Sequence, residues 1–119
     1  KNILQVKIQK AFKTTPSYFI IDEDEDTGYH MGVYLALNID THNIKLSEAT
    51  ILNDDEKLDI EKIKDKALPK IDYETTTNME NIIYSTNELT KYFILLGSSK
   101  HKIKKKAEQQ ACVNALKHF

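Results

Sequence analysis

A chain of 119 residues, 40% hydrophobic and 29% charged, is sized for one globular domain with one modest core. No apolar run approaches the roughly 20 residues of a membrane span, so no membrane partner is expected, and no signal-peptide pattern opens the sequence. The net charge of −1 conceals an asymmetry: residues 91–119 carry seven lysines against one acid, Glu108, and residues 1–90 carry ten lysines against seventeen acids. A basic end on an otherwise acidic chain predicts a local polyanion-binding face. All seventeen basic residues are lysine, so point-charge contacts to phosphate are available while bidentate arginine readout of guanine is not. The lone Cys112 fits an intracellular protein (cytoplasmic or nuclear) and has no partner in the chain. Because the sequence opens on Lys1 and not on Met, the expectation is a fragment of a longer protein.

In chain order, residues 1–13 place Ile3, Leu4, Ile8, Ala11 and Phe12 at helical spacing, with Val6 off that stripe and Gln5 and Gln9 stacked on a neighbouring face. Thr14, Thr15 and Pro16 stop the helix, because the residue before proline avoids helical angles. Ser17–Ile21 is rich in aromatic and β-branched residues and reads as a strand. The acidic run Asp22–Asp26 and Thr27-Gly28 read as its far end and a turn. Met31–Ile39 then alternates as the second strand of a hairpin, with His30 at the turn's exit. Residues 40–90 hold twelve acids and six lysines. Within them Ile44, Leu46 and Ile51 suit an extended segment, Asp55–Leu68 a helix stopped at Pro69, and Asn81–Ser85 a strand. Lys91–Gly97 reads as a further strand.

The last stretch, residues 97–119, reads as a helix N-capped by Ser98 or Ser99, with Ile103, Ala107, Ala111, Ala115 and Leu116 along one face and lysines off it. A cationic first turn with outward N–H groups suits phosphate. The order is helix, strand, strand, long excursion, strand, helix. The expected fold is α+β: an α-β-β-β-α domain with a three-stranded antiparallel sheet, both helices on one face, and an insertion of about fifty residues between strands 2 and 3. One domain, 1–119, would comprise a core of 1–39 and 91–119 and the insertion 40–90, which has no Gly or Ser linker to set it apart.

These features together resemble the double-stranded RNA-binding domain, in the version found at the C-terminus of ribonuclease III enzymes. Leu4-Gln5 and Ile8-Gln9 are similar to the family's first-helix pattern, and Pro16-Ser17-Tyr18 to its strand start. Gly28-Tyr29-His30 followed by Tyr34 matches its turn, and Lys104 through Ala111 its basic run leading into Ala-Glu-Gln. The resemblance implies shape-specific binding of double-stranded RNA, whose deep major groove excludes side chains while its minor groove displays 2′-hydroxyls. It assigns Gln5 and Gln9 to one minor groove, His30 to the next, and the lysines Lys100, Lys102, Lys104 and Lys105 to phosphates between them.

Three departures stand beside it. Val6 occupies a position where the family often has glutamate, the acidic run lies near a turn that should enter a groove, and residues 40–90 replace a short turn. Two registers remain open for the lysines: one uses Lys100, His101 and Lys104, the other Lys104 and Lys105. No histidine or cysteine spacing implies a metal, no cofactor is implied, and no nucleophilic constellation or ribonuclease III acidic signature is found in these residues. The expectation is therefore a binding module without enzymatic activity of its own. The alternative is a protein-interaction or dimerisation module acting through residues 40–90. A metal-dependent nuclease built on Asp22–Asp26 is a remote third.

Overall fold

Helix α1 spans Asn2–Phe12 in a computed structural model that describes residues 2–68 and 89–119. Leu4, Ile8 and Phe12 stack at i, i+4, i+8 and are buried to 1% exposure or less, whereas Ile3 is 64% exposed. The buried stripe is narrower than expected because a single ridge of the helix enters the core cluster. The helix ends where Lys13 turns left-handed at φ 56, its N–H still donating to Gln9 O at 2.9 Å.

Strands β1 (Ser17–Asp24), β2 (Gly28–Leu37), β3 (Thr50–Ile51) and β4 (Tyr92–His101) form one four-stranded sheet in the order β1-β2-β4-β3. β1, β2 and β4 run antiparallel, while β3 lies parallel to β4 and pairs only with Ile94 and Leu95. The expected three-stranded antiparallel sheet is therefore corrected to a mixed sheet. A strand of two residues has no alternation to read, and its partner lies more than forty positions away.

Alternation along β2 turns Val33, Leu35 and Leu37 to one face, where Ile94 and Leu96 of β4 join them in the core. On the other face Phe19, Tyr34 and Phe93 make an aromatic cluster, with Tyr34 and Phe93 stacked at 5.0 Å and Phe19 edge-on to Tyr34 at 5.5 Å. Helix α2 (Ile60–Ala67) and helix α3 (Lys104–Ala115) pack on the Val33 face with α1, contributing Ile63, Ala67, Ala111, Cys112 and Ala115 to the same cluster. Cys112 is a core thiol, 1% exposed, whose Sγ donates to the Tyr18 hydroxyl at 3.7 Å. Burial first, and then this contact, push the Tyr18 pKa above the usual tyrosine range.

β4 continues four residues beyond Gly97, so Ser98 and Ser99 lie in a strand and cap nothing. The N-cap of α3 is Ile103, with no side-chain hydrogen bond, and at 50% exposure it lies off the buried face. Pairing with β2 decides this, since Ser98 opposes Gly32 and Ser99 opposes Met31. Helix α2 begins at Ile60 and not at Asp55, because the Asp59 carboxylate caps it by accepting from Lys62 N at 3.1 Å. Leu46–Glu48 forms a 3-10 turn where an extended segment was expected. The readings of Pro69 and of Asn81–Ser85 fall outside the described residues.

The first part of the insertion is built into the core. Asn38, left-handed at φ 59, donates through Nδ2 to Ala67 O at 2.7 Å and to Thr90 O at 2.9 Å, so one side chain ties the end of β2 to both. Thr90 N donates back to Lys66 O at 2.8 Å. At the other end, buried His118 meets Glu56 O through Nδ1 at 2.6 Å. The carbonyl only accepts, so Nδ1 carries the hydrogen. Leu58 N donates to His118 O at 2.8 Å, and Lys117 Nζ pairs with Asp54 at 2.9 Å, holding that carboxyl below its usual pKa range.

Candidate nucleic-acid interface

The turn between β1 and β2 is built by Asp24, whose Oδ1 accepts from Asp26 N at 2.7 Å and Thr27 N at 3.4 Å. Gly28 follows at φ +87, a conformation that side chains rarely adopt. A Cβ on Gly28 would stand 2.5 Å from both His101 O and Lys102 Cα. The glycine thus lets the turn lie directly on the link between β4 and α3. Across the strands, His30 opposes Lys100 and Tyr29 opposes His101.

The consequence is a cationic collar at one end of the sheet. Lys100 is the next-to-last residue of β4, Lys102 lies in the link, and Lys104, Lys105 and Lys106 form the first turn of α3, which contains no acid. All five are exposed, and none has an ion pair among the described residues. The link is held by His101, whose Nδ1 accepts from Ile103 N at 2.9 Å. The first intrahelical bonds run from Lys106 N and Ala107 N to Ile103 O, both 3.1 Å. The earlier N–H groups at Lys104 and Lys105 thus lie beyond the intrahelical ladder, at the positive end of the helix dipole.

The structure brings His30, Lys100, Lys102, Lys104 and Lys105 to this one end. His30, three residues before core-facing Val33, is on the opposite sheet face, half-buried between Asp22 and Lys100 in the strand register. Gln5 and Gln9 are exposed on α1, where with Val6 and Lys10 they line a shallow groove of their own. The acidic hairpin does not project away from the lysines: Glu23, Asp24 and Glu25 share a cleft with Gly28, Tyr29 and Lys102. Charge therefore changes sign across Lys102.

Sequence reading gave no site role to Lys106, Gln109 and Gln110, which line a second groove with Ser99 and His101. The available signal was the i, i+4 pair Gln110 and Asn114, whose amides bond at 3.2 Å while Asn114 Nδ2 donates to Ser98 O at 2.9 Å. Among the described residues no three His, Cys, Asp or Glu side chains gather as a metal site, and no helix is long and apolar enough to cross a membrane. Comparison of the chain with protein-family models, curated proteins and solved structures gives no match.

Proposed function

We propose that this domain binds double-stranded RNA by shape. In this reading α1, β1, β2, β4 and α3 correspond to the α-β-β-β-α layout of the double-stranded RNA-binding domain, and β3 and α2 are additions within the insertion. The observation that carries it is the collar of exposed lysines at the start of α3, seated against the Gly28 turn. Lys102, Lys104 and Lys105 hold phosphates across the major groove, and Lys100 and His30 extend the contact along the turn. Gln5 and Gln9, separate on α1, reach a minor groove. Contacts spread over separate elements suit a ligand about 16 base pairs long. The parent protein would be a ribonuclease III-type or similar RNA-processing enzyme, with this domain as its RNA-positioning module.

The test is fluorescence anisotropy with a labelled RNA duplex of about 20 base pairs, beside single-stranded RNA and a DNA duplex of the same sequence, each over a salt series. Preference for duplex RNA with a log–log salt slope of about −3 to −5 is expected. Lys104→Ala with Lys105→Ala should weaken binding by about tenfold or more and flatten the slope by about 1–2, while circular dichroism stays unchanged. Equal, weak binding to all three nucleic acids would overturn the reading. The domain would then be a protein-interaction or self-associating module, with the carboxylates of residues 40–90 as its contact surface.

The acidic hairpin supplies a second expectation. Glu23→Gln with Glu25→Gln removes two negative charges beside Lys102 and leaves Asp24, which caps the turn, intact. Affinity for duplex RNA should rise by about threefold to tenfold at low salt and converge with the parent at high salt. Unchanged affinity at low salt would mean that RNA does not approach the Lys102 side of the collar.

A further inference from the structure

The sheet leaves one edge half covered. β3 pairs with Ile94 and Leu95 and stops, and among the described residues no strand continues beside Leu96–His101. Two grooves follow this edge. The first, about 210 Å³, has Ile51, Leu52, Gly97, Asn114 and His118 among its walls. The second, about 450 Å³, continues along Ser99–His101 beneath Lys106, Gln110 and Val113 of α3. Adjoining strand residues, Ser98 and Ser99, line the two, as do neighbouring helix residues, Asn114 and Val113.

The trough therefore has the form that an extended chain needs. One wall is a strand edge that already accepts two residues of β3. The other is a helix flank with amides held in place, since Gln110 bonds to Asn114 and Asn114 to Ser98 O. Exposed Ile51 and Val113, at 76% and 57%, offer apolar ground for alternate side chains. The charge of the second groove is one-sided. Lys100, His101 and Lys106 line it, and the nearest acid of the first groove, Asp54, is already bound by Lys117 at 2.9 Å. A second copy is a poor occupant, because it would bring its own lysines against these; edge lysines are a device that discourages self-pairing.

We propose that residues 96–101 of β4, with the Lys106–Val113 flank of α3, take an extended acidic peptide segment of a partner protein as a fifth strand. Backbone hydrogen bonds to the β4 edge supply affinity, and Lys100 and Lys106 select for carboxylates. The inference does not rest on the duplex RNA reading: the two share Lys100 and the lysine collar, but the peptide site stands on the strand edge and the α3 flank, which RNA binding does not require.

The experiment titrates the full chain with a fluorescein-labelled peptide of about eight residues alternating Glu and Val, read by anisotropy and by backbone amide shifts. Saturable binding is expected, with shifts centred on Leu96–His101 and the α3 flank. The same peptide with a Pro-Pro pair inserted at its centre keeps all its carboxylates but breaks the run of backbone donors, and should bind at least about tenfold more weakly. Lys106→Glu, an exposed site checked by circular dichroism, should cost about fivefold or more, with Lys106→Gln intermediate. Equal binding of the two peptides would reduce the site to charge alone and overturn the proposal. So would shifts mapping elsewhere, an absence of saturable binding, or a free chain already dimeric through this edge.

Discussion

Gly97→Ala is expected to destabilise the domain by about 2–4 kcal/mol, at the upper end of what overpacking costs. A Cβ at Gly97 would lie 2.5 Å from Ala111 O, 2.7 Å from Ala115 N and 3.0 Å from Ala115 Cα. These are helix backbone atoms, which cannot rotate aside as a side chain can. Nor can α3 simply lift, because Ala107, Ala111 and Ala115 are 0% exposed and set its distance from the sheet. The usual gain from replacing a glycine, about 0.4–1 kcal/mol of unfolded-state entropy, is too small to offset this. Gly32→Ala is the internal comparison. Its Cβ would meet the Ile21 Cδ1 and the Tyr34 ring, both at 2.8 Å. The end of Ile21 can rotate aside while the stacked Tyr34 ring gives less readily, and an intermediate cost of about 1–2 kcal/mol is expected. Urea unfolding followed by circular dichroism measures both. A Gly97→Ala midpoint equal to that of the parent would show that α3 is not seated on β4 at this distance.

The larger effect concerns the insertion. Replacing residues 40–90 by a short Gly-Ser turn is expected to abolish cooperative unfolding altogether. The replacement removes Ile63 and Ala67, 6% and 1% exposed, from the core and takes partly buried Leu52, Leu58 and Ile60 with them. Fully burying one such large side chain contributes about 1.5–3 kcal/mol, so several together rival the whole stability of a small domain, about 5–15 kcal/mol. It also removes the Ala67 and Thr90 carbonyls that accept from Asn38, and the Glu56 carbonyl that accepts from buried His118. Ile63→Ala is the graded form, expected to cost about 2–4 kcal/mol through the lost transfer energy and the cavity left behind. A shortened chain that melts cooperatively near the parent temperature would show that the insertion is an appendage and the outer halves a self-sufficient domain.

Local pattern and distant pairing divide what was legible. The ridge Leu4, Ile8, Phe12 and the alternation through β2 are periodicities carried within a few residues, so α1 and β2 could be read directly. The lysine run was equally plain, and a cationic end to the molecule follows from composition alone. The start of α3 was not legible. Ser98-Ser99 is a good capping signal by itself, but pairing with Gly32 and Met31 keeps those serines in β4, and the helix begins at Lys104. That shift decides which lysines stand on the helix turn and which on the strand.

Composition and periodicity by themselves determined an α+β domain with a basic end, because apolar spacing and charge are properties of consecutive residues. Tertiary structure alone decided the rest. It set a two-residue strand parallel to β4, brought Leu52, Leu58, Ile60, Ile63 and Ala67 to the core with ties through Asn38 and His118, and laid the Gly28 turn against Lys102. It also kept the acidic hairpin beside the lysines. Each of these joins groups dozens of positions apart, and the energy that favours such a contact appears only once the intervening chain has been ordered.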